Sequence, residues 1–148
     1  MFNYFFREKP KNIHSNGIDI IQDGIHDTTI TTFDYPGKKM GHIFVSWLHP
    51  FKEHRFVIIG SKGMLYFEDS VKKQPLLHYN NKVEFKDNIP LAKEGDMIEI
   101  TYNNEKPLSN ELRYFISNLY SKKISISGAD DGLEVIRVLE EASKRLMK

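Results

Sequence analysis

Across residues 41–69 the chain reads GHIFVSWLHPFKEHRFVIIGSKGMLYFED, and its apolar and polar positions fall into strand periods. In residues 42–48, Ile43, Val45 and Trp47 point one way, while His42, Phe44, Ser46 and Leu48 point the other. Successive strand side chains face opposite sides of a sheet, and apolar residues occur in both sets. The stretch therefore predicts a strand covered on both faces. His49-Pro50-Phe51-Lys52-Glu53-His54 interrupts it, because Pro50 lacks the N–H that a central ladder needs. Residues 55–59 are β-branched and apolar, and Gly60-Ser61-Lys62-Gly63 is a hairpin-like turn into residues 64–67. Three antiparallel strands are expected here.

Upstream, Thr28–Tyr35 (TTITTFDY) is β-branched and then aromatic, and Pro36-Gly37-Lys38-Lys39 turns the chain into the central stretch. Residues 12–15 predict a short strand and residues 17–24 a loop. Residues 1–8 read as the tail of a helix whose earlier turns are absent, broken at Pro10. Downstream, shorter strands are expected at Leu76–Tyr79, 83–85 and 97–102, punctuated by Asn80-Asn81 and Asp87-Asn88. The period then changes. Leu112, Phe115, Ile116 and Leu119 fall at i, i+3, i+4 and i+7, which predicts a helix over residues 107–121. A second helix is expected over 129–147, with Leu133, Val135, Ile136, Leu139, Ala142 and Leu146 apolar. Ser127, three residues before Asp130, resembles a capping box; Asp130 and Asp131 suit the positive end of the helix dipole, and Lys144, Arg145 and Lys148 the other. Strands followed by helices imply an α+β fold: an open, predominantly antiparallel β-sheet with two C-terminal helices packed on one face. Residues 1–148 are expected to form one domain.

Composition narrows the partners. Twenty-one Lys and Arg against 20 Asp and Glu leave a net charge of +1, which argues against nucleic acid or a membrane surface. The absence of cysteine removes disulfides, thiolate nucleophiles and cysteine-ligated metals. The N-terminal MFNYFF meets Arg7-Glu8-Lys9 too early for a signal-peptide core, and no run approaches the roughly 18 apolar residues of a membrane span. A cytoplasmic protein is the expectation.

Ser46-Trp47-Leu48-His49-Pro50, Lys52, Arg55, Ile59-Gly60-Ser61-Lys62-Gly63-Met64 and Phe67-Glu68-Asp69 together resemble the C-terminal domain of the glucose–fructose oxidoreductase / inositol dehydrogenase (Gfo/Idh/MocA) family. Glu105, Pro107-Leu108, Glu111 and Phe115 resemble the start of that domain's penultimate helix, and Gly128 with Asp131-Gly132-Leu133 the start of its last. The resemblance runs from about Tyr4 to Leu146. It is nearest the sugar-nucleotide dehydrogenases that oxidise the 3-position of UDP-N-acetylglucosamine or its uronic acid.

This resemblance implies a two-domain, NAD(P)-dependent oxidoreductase. A Rossmann half holds the cofactor and contributes a catalytic lysine, while the C-terminal sheet covers the sugar site and makes a subunit interface. The sequence departs from that pattern: no Gly-x-Gly-x-x-Gly occurs, so the turn that brings backbone N–H groups to a pyrophosphate is missing. The family's catalytic histidine sits on a helix expected to precede this chain. The expectation is a substrate-binding and dimerisation domain, inactive alone, with no catalytic or cofactor-binding residues of its own. Its implied partners are a second copy through the open sheet face, a sugar nucleotide, and a separately encoded Rossmann-domain chain. The alternative is a non-catalytic, self-associating interaction module derived from that domain.

Within the chain, Trp47, His49, Lys52 and Arg55 are the candidate substrate-binding residues. Arginine offers a planar fork that matches phosphate or carboxylate, and tryptophan can stack on a sugar or base. The bland alternative is a solvated loop with mixed charges beside a core tryptophan. Glu8-Lys9-Pro10 and Glu105-Lys106-Pro107 both spell the family's lysine triplet, but the first follows an aromatic helix end and the second the polar Tyr102-Asn103-Asn104; both read as coincidence. Gly24-Ile25-His26-Asp27 imitates the family's histidine motif in a loop setting and reads as a turn histidine, with general-base chemistry as the other reading. The six histidines are scattered without the spacing of a metal site.

Overall fold

The computed structural model describes every residue of 1–148 except Asn104, Lys122, Lys123, Ser125, Met147 and Lys148. Helices α1, α2 and α3 span Phe2–Phe6, Pro107–Ser117 and Ala129–Leu146. Strands β1, β2 and β3 span Asn12–Ile18, Thr28–Tyr35 and Lys39–Ser46. Strands β4, β5 and β6 span Arg55–Gly60, Gly63–Glu68 and Leu76–Tyr79, and β7, β8 and β9 span Lys82–Lys86, Ile89–Lys93 and Met97–Glu99. The described strands form open antiparallel ladders in the orders β1-β2-β3, β4-β5-β6-β9 and β7-β8. The fold is α+β, with its longest helix at the C-terminal end. Two compact units divide it, one of residues 1–49 with 117–148 and the other of residues 50–116. Among the described residues no helix is long and apolar enough to cross a membrane.

The first unit is built on β2, whose Phe33 and Tyr35 are buried. Phe2 meets Phe33 edge-on at 5.6 Å between ring centroids, and Phe6 meets Tyr35 at 4.6 Å. The Tyr35 hydroxyl donates to Asn3 Oδ1 at 2.6 Å, and its burial pushes its pKa up. A helix as short as α1 is marginal alone, so these aromatic contacts hold it in place. Arg7, left-handed at φ 56°, ends it. Gly41 makes room for the docking: a Cβ there would lie 2.9 Å from the Phe2 ring. Helix α3 packs on β1, and Lys9 pairs with Glu134. The helix cap differs from expectation. Gly128 N–H, not a Ser127 partner, donates to the Asp131 carboxylate at 3.1 Å, and Ser127 takes a left-handed φ of 57°. Met147, expected to end this helix, and Lys148, expected to suit its negative end, lie outside the described residues.

The central stretch departs from expectation in three respects. Its three strands are consecutive in sequence, but β3 pairs with β2, whereas β4 and β5 pair with each other in the second unit. Strand β3 also begins and ends earlier than residues 42–48, and it is not covered on both faces. Ile43, Phe44, Val45 and Trp47 are all exposed: β3 is an edge strand, and α3 packs on β1 at the opposite edge of the sheet. The chain leaves the ladder after Ser46, where Leu48 N–H donates to the Ser46 hydroxyl at 3.1 Å.

In the second unit Asp87 and Asn88 adopt φ of 52° and 63°, the positive pair of a two-residue hairpin loop, and so join β7 to β8. Pro90 hid β8 from the sequence reading; it is tolerated because the β7-β8 ladder has only edge strands. Strand β9 stops at Glu99, short of Tyr102, whose hydroxyl instead donates to the Gln74 carbonyl at 2.7 Å. Helix α2 stops at Ser117, short of Ser121.

Candidate functional site

The four candidate residues divide between the units. Trp47 and His49 follow β3 in the first; Lys52 and Arg55 lead into β4 in the second. Trp47 is not a core residue: 83% of it is exposed. Its backbone N–H donates to the Asp27 carbonyl at 2.9 Å, which fixes where the indole starts. The His49 ring stands edge-on to Phe44 at 6.2 Å. Lys52 is exposed.

Arg55 is set among carboxylates. In the β4–β5 register it lies opposite Glu68, and its Nη2 stands 3.5 Å from Glu53 Oε2. Glu68 is buried and accepts the Ser70 hydroxyl and, at 2.5 Å, the Tyr66 hydroxyl. Those two bonds, Ser70 first, hold its carboxyl below the ordinary glutamate value, with the Arg55 and His54 charges adding to them. The same bond to Glu68 pushes Tyr66 up. His54 Nδ1 meets Asp69 Oδ1 at 3.1 Å, and His54 N–H donates to Ser70 Oγ at 3.3 Å. Glu53 meets the guanidinium, and the carboxylates around Arg55 offset the charge an anionic ligand would need. The sequence reading missed Tyr66 and Ser70. Pairing across the Gly60–Gly63 turn carries the signal for Glu68, since that register sets it opposite Arg55.

A second cluster lies in the first unit. The residues before β2 form a turn, as expected of Gly24-Ile25-His26-Asp27: Gly24 has φ 78° and an isolated bridge joins Gln22 to Ile25. Asp27 is buried, and its Oδ2 accepts the N–H groups of Ile20 and Ile21 at 2.7 and 2.8 Å. Its own N–H donates to the Ile18 carbonyl at 2.9 Å. Asp19 Oδ2 accepts Gly24 N–H at 2.7 Å, which lowers the Asp19 pKa, with a smaller contribution from His26. His26, Asp27, Thr29, Val45, Ser46 and Trp47 line one shallow cavity of about 340 Å³. His26 and Trp47 are far apart in sequence, and only the β2–β3 pairing brings them together.

The two lysine triplets sit in structural roles. Lys9 pairs with Glu134. Glu105 accepts from Arg113 at 2.6 Å and from Asn103 at 3.1 Å, bonds that lower its pKa, and Pro107 opens α2. Asn104, which precedes the second triplet, lies outside the described residues.

Residues 1–66 match the family described as the GFO/IDH/MocA C-terminal domain. No curated protein matches the chain. Its fold is similar to that of the aldose-aldose oxidoreductase from Caulobacter crescentus complexed with glycerol. The TM-score is 0.71 at 16% identity, over 97% of this chain and 41% of that one. It is similar also to the UDP-N-acetylglucosamine 3-dehydrogenase GnnA from Acidithiobacillus ferrooxidans. There the TM-score is 0.74 at 12% identity, over 96% of this chain and 45% of that one. The chain thus spans less than half the length of either protein, and at these identities the likeness is one of fold.

Proposed function

We propose, on the premise that this chain carries an oxidoreductase C-terminal domain of the GFO/IDH/MocA type, that it is the substrate-binding half of an NAD(P)-dependent sugar-nucleotide dehydrogenase. The observation that carries this reading is the fold shared with a UDP-N-acetylglucosamine 3-dehydrogenase over nearly the whole of this chain. Trp47 and His49, in the first unit, offer an aromatic platform for a ring; Lys52 and Arg55, in the second, offer cations for a phosphate or carboxylate.

The described residues do not fit the cofactor. A pyrophosphate is held where a glycine-rich turn delivers backbone N–H groups at a helix N-terminus. Here α2 begins with Pro107, which has no N–H, and the first turn of α3 carries Asp130 and Asp131, while Asp131 already takes the Gly128 N–H. Carboxylates there repel a second anion. Hydride transfer accordingly belongs to a separate Rossmann-domain chain or segment, and this chain is inactive without it. Exposed apolar residues along the edge strand β3 support self-association into a homodimer through the open sheet.

Titration of the full chain with UDP-N-acetylglucosamine and with its uronic acid tests the reading. Saturable binding is expected, weakened about tenfold by Arg55→Ala through loss of a charge-assisted contact. A stable dimer that binds neither ligand would instead support the self-associating interaction module.

A further inference from the structure

The cavity between His26 and Trp47 has a composition unlike that of an anion site. Its lining holds an indole, the apolar Val45, the hydroxyl-bearing Thr29 and Ser46, one imidazole and one carboxylate, with no lysine or arginine. The carboxylate is committed, since Asp27 Oδ2 already accepts two backbone N–H groups. A phosphate entering here would meet no lysine or arginine to offset its desolvation. A neutral ring with one apolar face and a hydroxyl-bearing edge fits better: the face covers the indole and the edge reaches the imidazole.

Both groups are held in place. Asp27 ties the 19–26 loop to β3, because its side chain holds Ile20 and Ile21 while its carbonyl accepts the Trp47 N–H. The Thr28 and Ser46 hydroxyls, 2.6 Å apart, fasten the end of the β2–β3 ladder. His26 lies against Gly17 of β1. A Cβ at Gly17 would come within 2.6 Å of His26 Cδ2 and 3.0 Å of both Thr29 Cγ2 and Leu146 Cδ2. Glycine at that position leaves room for the imidazole, which a side chain there would displace.

We infer that this cavity is a subsite for the neutral pyranose ring of the ligand, with Trp47 as the stacking platform and His26 as the hydrogen-bonding residue. The assignment rests on the sugar-nucleotide reading above and adds His26, Asp27 and Gly17 to it. His26 and Trp47 touch the ring; Asp27 and Gly17 are positioning residues.

Trp47 is the chain's single tryptophan, so its fluorescence reports the subsite directly. Titrating the full chain with UDP-N-acetylglucosamine is expected to change Trp47 emission saturably, and UDP alone is expected not to. His26→Ala weakens the response about tenfold, as expected for loss of one hydrogen bond. His26→Gln, which keeps a donor, restores most of it. Gly17→Ala weakens it with the imidazole still present, and circular dichroism confirms that each variant is folded. Calorimetric binding of the sugar nucleotide with silent Trp47 emission and unchanged affinity in His26→Ala overturns the subsite alone. Absence of binding by both methods overturns the sugar-nucleotide reading and the subsite with it. Emission that follows protein concentration and ignores sugar assigns the indole to contact between copies, which also overturns the subsite.

Discussion

Glu68 lies opposite Arg55 in the β4–β5 ladder and accepts hydroxyls from Tyr66 and Ser70. Its lowered pKa stabilises the fold above the ordinary glutamate value of about 4.3, and that contribution is lost as pH falls through the lower folded value. Tyr66 runs the other way. Its raised pKa gives a contribution that is complete below about 10 and lost as pH rises through the folded value. The chain has seven tyrosines, so the difference in phenolate absorbance between the parent and Tyr66→Phe isolates this one. The missing ionisation is expected above about 10, and Glu68→Gln is expected to bring it back towards about 10. A missing ionisation at or below that value contradicts the hydrogen bond. None of this was legible in the sequence beyond the register, because hydroxyl–carboxylate geometry depends on where β5 ends and the chain turns back.

At the scale of elements, α1 and β3 depend on each other through Phe2 against Gly41 and through Lys39 Nζ, 5.7 Å from the Phe6 ring centroid. Phe2 sits over Gly41, with no room for a Cβ between them. Gly41→Ala is expected to destabilise the first unit by about 1–3 kcal/mol through overpacking, measured by urea denaturation. Phe2→Ala added to that variant is expected to cost less than it does alone, since the two residues share the contact. Additive effects would mean that α1 is not docked there. Most elements could be read from periodicity: Thr28–Tyr35 and Leu76–Tyr79 agree at both ends, and β4, β5 and β7 agree within one residue at each end. The failures have physical causes. Pro90 masked β8, which only an edge ladder tolerates, and the alternation in residues 42–48 indicated a strand without revealing that it lies at a sheet edge.

For the whole molecule, the family resemblance read from about Tyr4 to Leu146 is matched by the family over residues 1–66, and the fold is similar to that of the two solved oxidoreductases over nearly the full chain. The site was only partly legible. Trp47 was visible as a candidate, but its exposure was not, and His26 gained a partner only through the β2–β3 pairing. Arg55 stands among more carboxylates than its sequence neighbours suggest, since Glu68 lies opposite it across the hairpin. The proposed division of labour gives the sugar nucleotide to this chain and the nicotinamide cofactor to another. Its most direct test is calorimetry on one preparation of the full chain, titrated in parallel with UDP-N-acetylglucosamine and NAD+. Saturable binding of the sugar nucleotide with no heat from NAD+ is the expected result. Binding of NAD+, or of neither ligand, would contradict it.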